Sequence, residues 1–324
     1  MIAARVTPGR LIDRLPQVRG RYRENTDLAR STWFRVGGHA EIMFRPADAE
    51  DLAAFLKARP TDVPITVIGV GSNLLVRDGG VHGVVIRLGR GFAKISPKGT
   101  EISAGAGTLD SLVAKASAVA GIEGLEFLAG IPGTIGGALR MNGGAYGREM
   151  KDVVVSADAL APDGTRHRLA PNALGFSYRS SAVAEDWIFT DVHLKGAKCQ
   201  PETIAQRIAE IQEARMETQP VRARTGGSTF RNPSGSSGEP KAWQLIDSAG
   251  CRGLTRGGAK VSEQHCNFLI NDGTATASDI EGLGEEVRHR VQKATGVNLE
   301  WEIRRIGNLP KTELGNTTPT GDRP

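Results

Sequence analysis

Residues 126–150 read EFLAGIPGTIGGALRMNGGAYGREM, and the fold turns on how they are read. Gly130, Gly133, Gly136, Gly137, Gly143, Gly144 and Gly147 stand here among small apolar residues with almost no charge. Bulky side chains have been cleared from a length of main chain. Glycine permits positive φ and close approach of backbone to a ligand, at an entropic cost that requires a reason. On these residues alone two readings stand, a glycine-rich loop that merely punctuates the chain or a cradle for a ligand.

A second glycine stretch bears on the choice. Gly69-Val70-Gly71-Ser72-Asn73-Leu74 follows directly on the apolar run ITVI. Glycines with Ser and Asn at a strand end present main-chain N–H groups and short side-chain donors in a concave turn, which suits phosphate oxygens. The pattern is not the dinucleotide fingerprint of a doubly wound sheet. Leu74 fills its third glycine position, and LLVRDGGVHG runs into another turn rather than an amphipathic helix. No P-loop lysine follows either run. Two separate glycine turns point to one extended, polyphosphate-bearing cofactor gripped from two sides.

Composition narrows the partners. At 324 residues the chain is long enough for two or three domains. Hydrophobic content of 39% and charge of 24% suit a soluble globular protein, and aromatics at 5% argue against a surface built on stacked bases. The net charge of +5 fits an anionic small molecule as well as nucleic acid, since Lys and Arg are spread along the chain. Cys199, Cys251 and Cys266 show no metal-ligand spacing, so neither a zinc site nor a disulfide framework is expected. No signal peptide or membrane-spanning run is recognisable, and a cytoplasmic location is expected.

Local patterns divide the chain. Residues 1–25 are expected to form an arm or peripheral helix. Phe34, Val36, Ile42 and Phe44 alternate like short strands; Asp48 with Asp51 caps a helix carrying Leu52, Phe55 and Leu56; ITVI and VVIRL complete a first unit over 26–88. In a second unit, Thr108 is expected to cap a helix with Leu109, Leu112, Val113, Ala116 and Ala120 on one face. A hairpin turns at Asp163-Gly164, and a long helix carries Ile204, Ile208 and Ile211. A third unit, 215–298, includes the polar loop SGSSGEP and ends in a helix with a capping box expected at Ser278 and Glu281. LEWEIRRI reads as a closing strand, 299–307, returning to the second unit (89–214). Leu299, Trp301 and Ile303 are on one face and Glu300, Glu302 and Arg304 on the other. The tail, 308–324, is expected to be disordered.

GVGSNLLVRDGGVHGVVI, AGIPGTIGGALRMNGGAYG, YRSS, GGSTFRNP, KAWQLID, NFLIN and LEWEIRRIG, in this order, resemble the UDP-N-acetylenolpyruvoylglucosamine reductase (MurB) family from about Ser31 to Gly307. The resemblance implies an α+β, vanillyl-alcohol-oxidase-like (PCMH-type) FAD-binding fold in two subdomains, with a C-terminal α+β substrate-binding domain. It implies non-covalent FAD, NADPH as hydride donor, a UDP-linked amino-sugar substrate, a monomer, and no nucleic-acid or membrane partner. Arg179 in SYRSS, Ser228 in GGSTF and Glu300 in LEWE match the family's arginine, proton donor and glutamate. From the residues alone each has an ordinary alternative, as a surface arginine, a turn serine or one glutamate on a solvated strand face.

Cofactor contacts are expected at Gly69, Gly71, Ser72, Asn73, Leu74, Gly130, Ile131, Pro132, Gly133, Thr134, Gly136, Gly137, Ala138, Asn142, Gly143, Gly144 and Arg215. Substrate contacts are expected at Tyr178, Asn232 and Lys241. Only AVAED separates Ser181 from WIFTDV, with no tyrosine in it, so the chain resembles the family's second type, which lacks a closing loop.

Overall fold

The computed structural model describes residues 9–233 and 240–310. The expected loop at 234–239 and the tail beyond 310 lie outside the described residues.

The first unit holds β1 (Arg21–Asp27), β2 (His39–Arg45), α1 (Ala49–Ala58), β3 (Ile65–Ile68), β4 (Leu74–Val76) and β5 (Val81–Arg87). Its sheet runs β1-β2-β5-β3, with β5 parallel to both β2 and β3 and β1 antiparallel at the edge. Parallel neighbours require a crossover, and α1 supplies it between β2 and β3. Asp48 caps α1 by accepting from the Asp51 N–H at 2.9 Å, as expected. Leu52, Phe55 and Leu56 pack on Ile42, Phe44, Val84 and Ile86. Residues 21–27 form an edge strand rather than an arm, because their N–H and C=O groups pair with β2.

The second unit contains β6 (Ile95–Lys98), β7 (Glu101–Gly105), α2 (Asp110–Val119), β8 (Ile122–Glu123), α3 (Ile135–Arg140), β9 (Gly144–Ala145), β10 (Arg148–Glu149), β11 (Val154–Leu160), β12 (Arg166–Leu169), α4 (Pro171–Leu174), β13 (Ile188–Lys195), β14 (Ala197–Lys198) and α5 (Pro201–Thr218). An antiparallel sheet, β12-β11-β13-β7-β6, is its frame. Thr108 does not cap α2: the helix begins at Asp110 and the Thr108 hydroxyl is buried without a partner among the described residues. The buried face is Val113, Ala114, Ser117 and Ala118, so Leu112 stays exposed. Small residues on that face let α2 lie close to the segment 126–130 and to α5.

The third unit comprises α6 (Ala242–Ser248), β15 (Thr255–Arg256), β16 (Ala259–Val261), β17 (Leu269–Asn271), α7 (Ala277–Thr295) and the chain's last strand, β18 (Arg304–Ile306). Two expectations shift here. Thr276, not Ser278, caps α7, and its capping-box partner is Asp279. Ser278 and Glu281 are thereby released for partners in the first unit. The return strand does not join the second unit: β18 pairs in parallel with β4 of the first. Phe34 and Val36 are not in a strand; they sit in the third unit's core with Leu245, Ile246, Ile280, Leu283 and Val287.

Candidate active site

The two glycine stretches face each other. A Cβ on Gly69 would lie 2.9 Å from Thr134 Oγ1, and one on Gly133 would lie 2.8 Å from Asp110 Oδ2 and 3.8 Å from Ser72 Oγ. Glycine at these two positions keeps the gap between the turns open. Gly71 has a different reason: at φ +69° its Cβ would strike the Ser31 carbonyl oxygen at 2.4 Å. Gly136, Gly143 and Gly144 are likewise small because Ala106, Ala138 and Glu149 press on them, and Gly130 because the Tyr146 ring does.

These turns suit the diphosphate of FAD. Among the described residues no acceptor takes the backbone N–H groups of Val70, Gly71, Ser72 or Asn73. Consecutive free N–H groups in a glycine turn bind anionic oxygens, and the diphosphate of FAD supplies them. The opposite wall offers the Thr134 hydroxyl. The residues fit the cofactor. Other expected contacts also have partners within the protein. The Leu74 side chain packs in the first unit's core. Asn142 is fully buried, donates to Glu149 Oε2 at 2.9 Å and to the Ser177 carbonyl at 3.1 Å, and accepts from the Lys151 N–H. It shapes the loop instead. Arg215 donates to Gln219 Oε1 at 3.2 Å and is half-buried near Tyr146, whose hydroxyl donates to the Ile211 carbonyl.

The first glycine turn also holds the closing segment. Asn73 Nδ2 donates to the Glu302 carbonyl at 3.1 Å, and the Asn73 carbonyl accepts from the Arg304 N–H at 3.2 Å. On its other side the Glu302 N–H donates to the Thr229 carbonyl at 2.8 Å. Ser228, half-buried, is the residue before Thr229 and bridges to Phe268. Gly227, one further back, faces the Ser72 carbonyl, its Cβ direction ending 3.8 Å away. Main-chain bonds therefore bring Ser228, Glu302 and the first glycine turn together.

Arg179 completes the group. Ser177 and Ser180 exchange two backbone hydrogen bonds, which puts Tyr178 and Arg179 at the apex of a two-residue turn, with Arg179 at φ 54°. A non-glycine residue held there is strained, and such strain persists where surrounding structure determines it. Arg140 contributes: its guanidinium donates to the Val183, Ala184 and Trp187 carbonyls and pins the short connection after Ser181. Arg179 Nε lies 3.0 Å from Glu302 Oε1, and Nη1 donates to the Gly144 carbonyl at 3.2 Å. The Nε contact is an ion pair rather than an aligned hydrogen bond.

Glu302, not Glu300, is the glutamate at this site. The Glu302 side chain is 14% exposed against 76% for Glu300, whose nearest cation is Arg231 Nη1 at 3.9 Å. Strict alternation puts both on one face, but residues 299–303 are not a regular strand, and the two carboxylates end in different surroundings. Burial raises the Glu302 pKa, opposed by Arg179 and Arg231.

Arg179, Glu302, Arg231 and Arg304 line a cavity of about 380 Å³ whose cations outnumber its carboxylates. A larger cavity, about 730 Å³ between Tyr146 and α5, contains none of these groups. The expected substrate contacts Asn232 and Lys241 stand at the start of α6, where Asn232 Oδ1 accepts from the Ala242 N–H at 3.0 Å. That amide oxygen is spent on a helix cap. Tyr178 is exposed beside the Arg179 guanidinium, 5.7 Å from its ring centre.

Free N–H groups in facing glycine turns, near a half-buried Arg–Glu pair, suit the class to which the family matches assign the chain, an FAD-binding oxidoreductase. The sequence model of an FAD binding domain matches residues 40–170, and that of the UDP-N-acetylenolpyruvoylglucosamine reductase C-terminal domain matches 219–306. The reductase of that name from Parvibaculum lavamentivorans is 60% identical over 95% of this chain and 97% of its own. That from Rhodospirillum rubrum is 60% identical over 95% and 96%. The crystal structure of the Thermus caldophilus enzyme superposes with a TM-score of 0.76, at 37% identity, covering 91% of this chain and all of the other. The chain belongs to the UDP-N-acetylenolpyruvoylglucosamine reductase family.

Proposed function

We propose that the protein uses NADPH to reduce the enolpyruvyl ether of UDP-N-acetylglucosamine to UDP-N-acetylmuramate, with Arg179, Ser228 and Glu302 acting on the substrate. Bound FAD supplies the hydride, which adds to the vinyl CH₂ carbon. The neighbouring carbon, C2, then carries negative charge shared with the carboxylate. The Arg179–Glu302 pair at 3.0 Å, in a cation-rich cavity beside the Ser228 segment, is the observation that carries the reading.

Arg179 has its Nη2 end free of partners among the described residues and takes the substrate carboxylate, where charge develops. Glu302 fixes the guanidinium from the Nε side. Ser228 gives its hydroxyl proton to C2: the C–H bond forms as the O–H bond breaks, and solvent restores the proton to the oxygen. A hydroxyl is a weak acid, so proximity to the developing carbanion drives the transfer. The N–H groups of residues 70–73, with Thr134 opposite, would hold the FAD diphosphate.

The enzyme works in the cytoplasm as a monomer without nucleic-acid or membrane partners. In keeping with a reducing compartment, Cys199, Cys251 and Cys266 are all unpaired. Among the described residues no helix is long and apolar enough to cross a membrane.

Ser228→Ala tests the assignment. Flavin reduction by NADPH stays within about twofold of wild type, while reoxidation by the ether slows about 100-fold or more, the range for loss of a positioned acid. Equal loss in both halves would place Ser228 in folding or flavin binding.

A further inference from the structure

We infer that Glu281 on α7 is a positioning residue for Glu302 and acts on the ether-dependent half of the reaction alone; this rests on the reading of Glu302 given above. Glu281 touches no reacting atom. Its carboxylate is 14% exposed and takes three charged donors: Arg77 Nε on Oε2 at 2.9 Å, and Arg77 Nη2 and Arg305 Nη1 on Oε1 at 2.8 and 2.9 Å. Arg77 follows β4 directly, and Arg305 is the centre of β18. One carboxylate therefore clamps the two strands whose parallel pairing joins the first unit to the end of the chain.

The clamp reaches both flanks of Glu302. Arg305 Nη1 also donates to Glu285 Oε1 at 3.0 Å, and the same oxygen accepts from Trp301 Nε1 at 2.8 Å. The Arg305 guanidinium lies over the Trp301 ring, 4.5 Å from its centre. Trp301 is seated on Gly284, where a Cβ would come within 2.2 Å of the indole. The residue before Glu302 is held by α7 through Glu285 and Gly284, and the strand after it through Glu281. Asp78 adds a second tie, accepting from the Ala277 and Ser278 N–H groups at the start of α7, each at 2.9 Å.

The chemistry of the network supports a role in positioning over one in stability. Charged groups with little exposure lose hydration that their attraction only partly repays, and apolar residues of similar size commonly stabilise as well or better. A bidentate, directional clamp sets distances instead. Arg77, Trp301 and Arg305 also line the cavity that holds Arg179 and Glu302, so a shift in the clamp moves a wall of the site. A displacement of about 1 Å in a reacting constellation lowers a rate by up to about 100-fold.

The experiment compares Glu281→Ala, Glu281→Gln, Glu302→Gln and the Glu281→Ala/Glu302→Gln double variant as FAD-loaded full-length proteins. Flavin content and melting temperature are recorded for each, and the two half-reactions are followed separately. We expect Glu281→Ala to reduce with NADPH within about twofold of wild type. Its reoxidation at saturating ether should fall about tenfold, with the dissociation constant of the ether for the oxidised enzyme within about twofold. Glu281→Gln, which keeps the Oε1 acceptor, should be intermediate. In the double variant, removing Glu281 should cost less than about twofold beyond Glu302→Gln, because residues acting as one unit are not additive. A full additional tenfold loss, an equal loss in both halves, or a loss confined to ether affinity would overturn the inference. Wild-type reoxidation in Glu302→Gln would instead remove the reading of Glu302 itself.

Discussion

Glu302→Gln and Glu300→Gln are expected to behave as opposites, although the residues are two positions apart. Glu302 faces Arg179 Nε at 3.0 Å with both side chains largely covered, at 14% and 26% exposure. At an effective dielectric of about 20 their attraction is about 5 kcal/mol before desolvation. Removing one partner of a wholly buried pair costs about 3–5 kcal/mol, and the residual exposure here brings the expected loss to about 2–3 kcal/mol of folding stability. Arg179 would keep its hydrogen bond to the Gly144 carbonyl but face a neutral amide in place of the carboxylate. Reoxidation of the reduced flavin should fall about 100-fold, equivalent to about 2.7 kcal/mol in the barrier. Glu300→Gln, in a side chain 76% exposed, should change stability by less than about 0.5 kcal/mol and leave both half-reactions intact. Stopped-flow absorbance of the flavin, reduced anaerobically with NADPH and then mixed with the ether, gives the rates; thermal melts give the stabilities. If Glu300→Gln slows reoxidation as much as Glu302→Gln does, the burial argument fails.

Three further outcomes follow from single side chains. Asp110 is fully buried with both carboxyl oxygens unpartnered among the described residues, and burial alone holds its pKa well above the usual carboxylate range. The folded state thus binds this proton more tightly than the unfolded chain does. The Asp110 contribution to stability is undiminished below the unfolded pKa and is lost as pH rises toward the folded value. Melts of Asp110→Asn and wild type should coincide near pH 4 and separate in favour of Asn toward neutrality; a constant difference would show that the carboxyl does not titrate. Burial pushes the Cys266 thiol up to about 11 and also raises Cys251, so iodoacetamide at pH 8 should alkylate Cys199 alone in the native protein. Mass mapping that finds Cys266 modified before unfolding would contradict this. Asn232→Ala should lower stability by about 1 kcal/mol through loss of the α6 cap, with the ether's dissociation constant unchanged; a weakened constant would restore Asn232 to the substrate.

Much of this was legible in the chain. The cap at Asp48, the hairpin at Asp163-Gly164 and the stripe along α5 are local patterns, and local chemistry governs them in the folded protein. The two glycine turns were equally readable, because free N–H groups after an apolar strand need no distant partner to be recognised. What misled was always a long-range contact. Glu300 and Glu302 look equivalent under strict alternation, and only Arg179, brought from the second unit to Glu302, separates them. Asn232 Oδ1 caps a helix ten residues on, a contact the sequence pattern did not announce, while its Nδ2 donors are left for a substrate. Ser278 and Glu281 have the spacing of a capping box, but Asp78 and Arg77 across the unit boundary claim them.

The pairing of β4 with β18 has a consequence for how the protein is made. Asn73 and Glu302, bonded across that junction, are 229 positions apart. Phe34 and Val36, among the first core residues to be synthesised, fill the third unit's interior, which is among the last parts of the chain to appear. The first unit's own core closes within residues 11–188, but Phe34, Val36 and Leu75 stay uncovered until residues 230–303 have left the ribosome, and loops of that length close slowly. The second unit, whose sheet joins strands from within residues 95–195, is free to fold first and serve as the platform. A chain cut at residue 219, where the C-terminal family match begins, should therefore split the third unit's core, leaving Phe34, Val36 and Leu75 bare on one piece and their partners on the other.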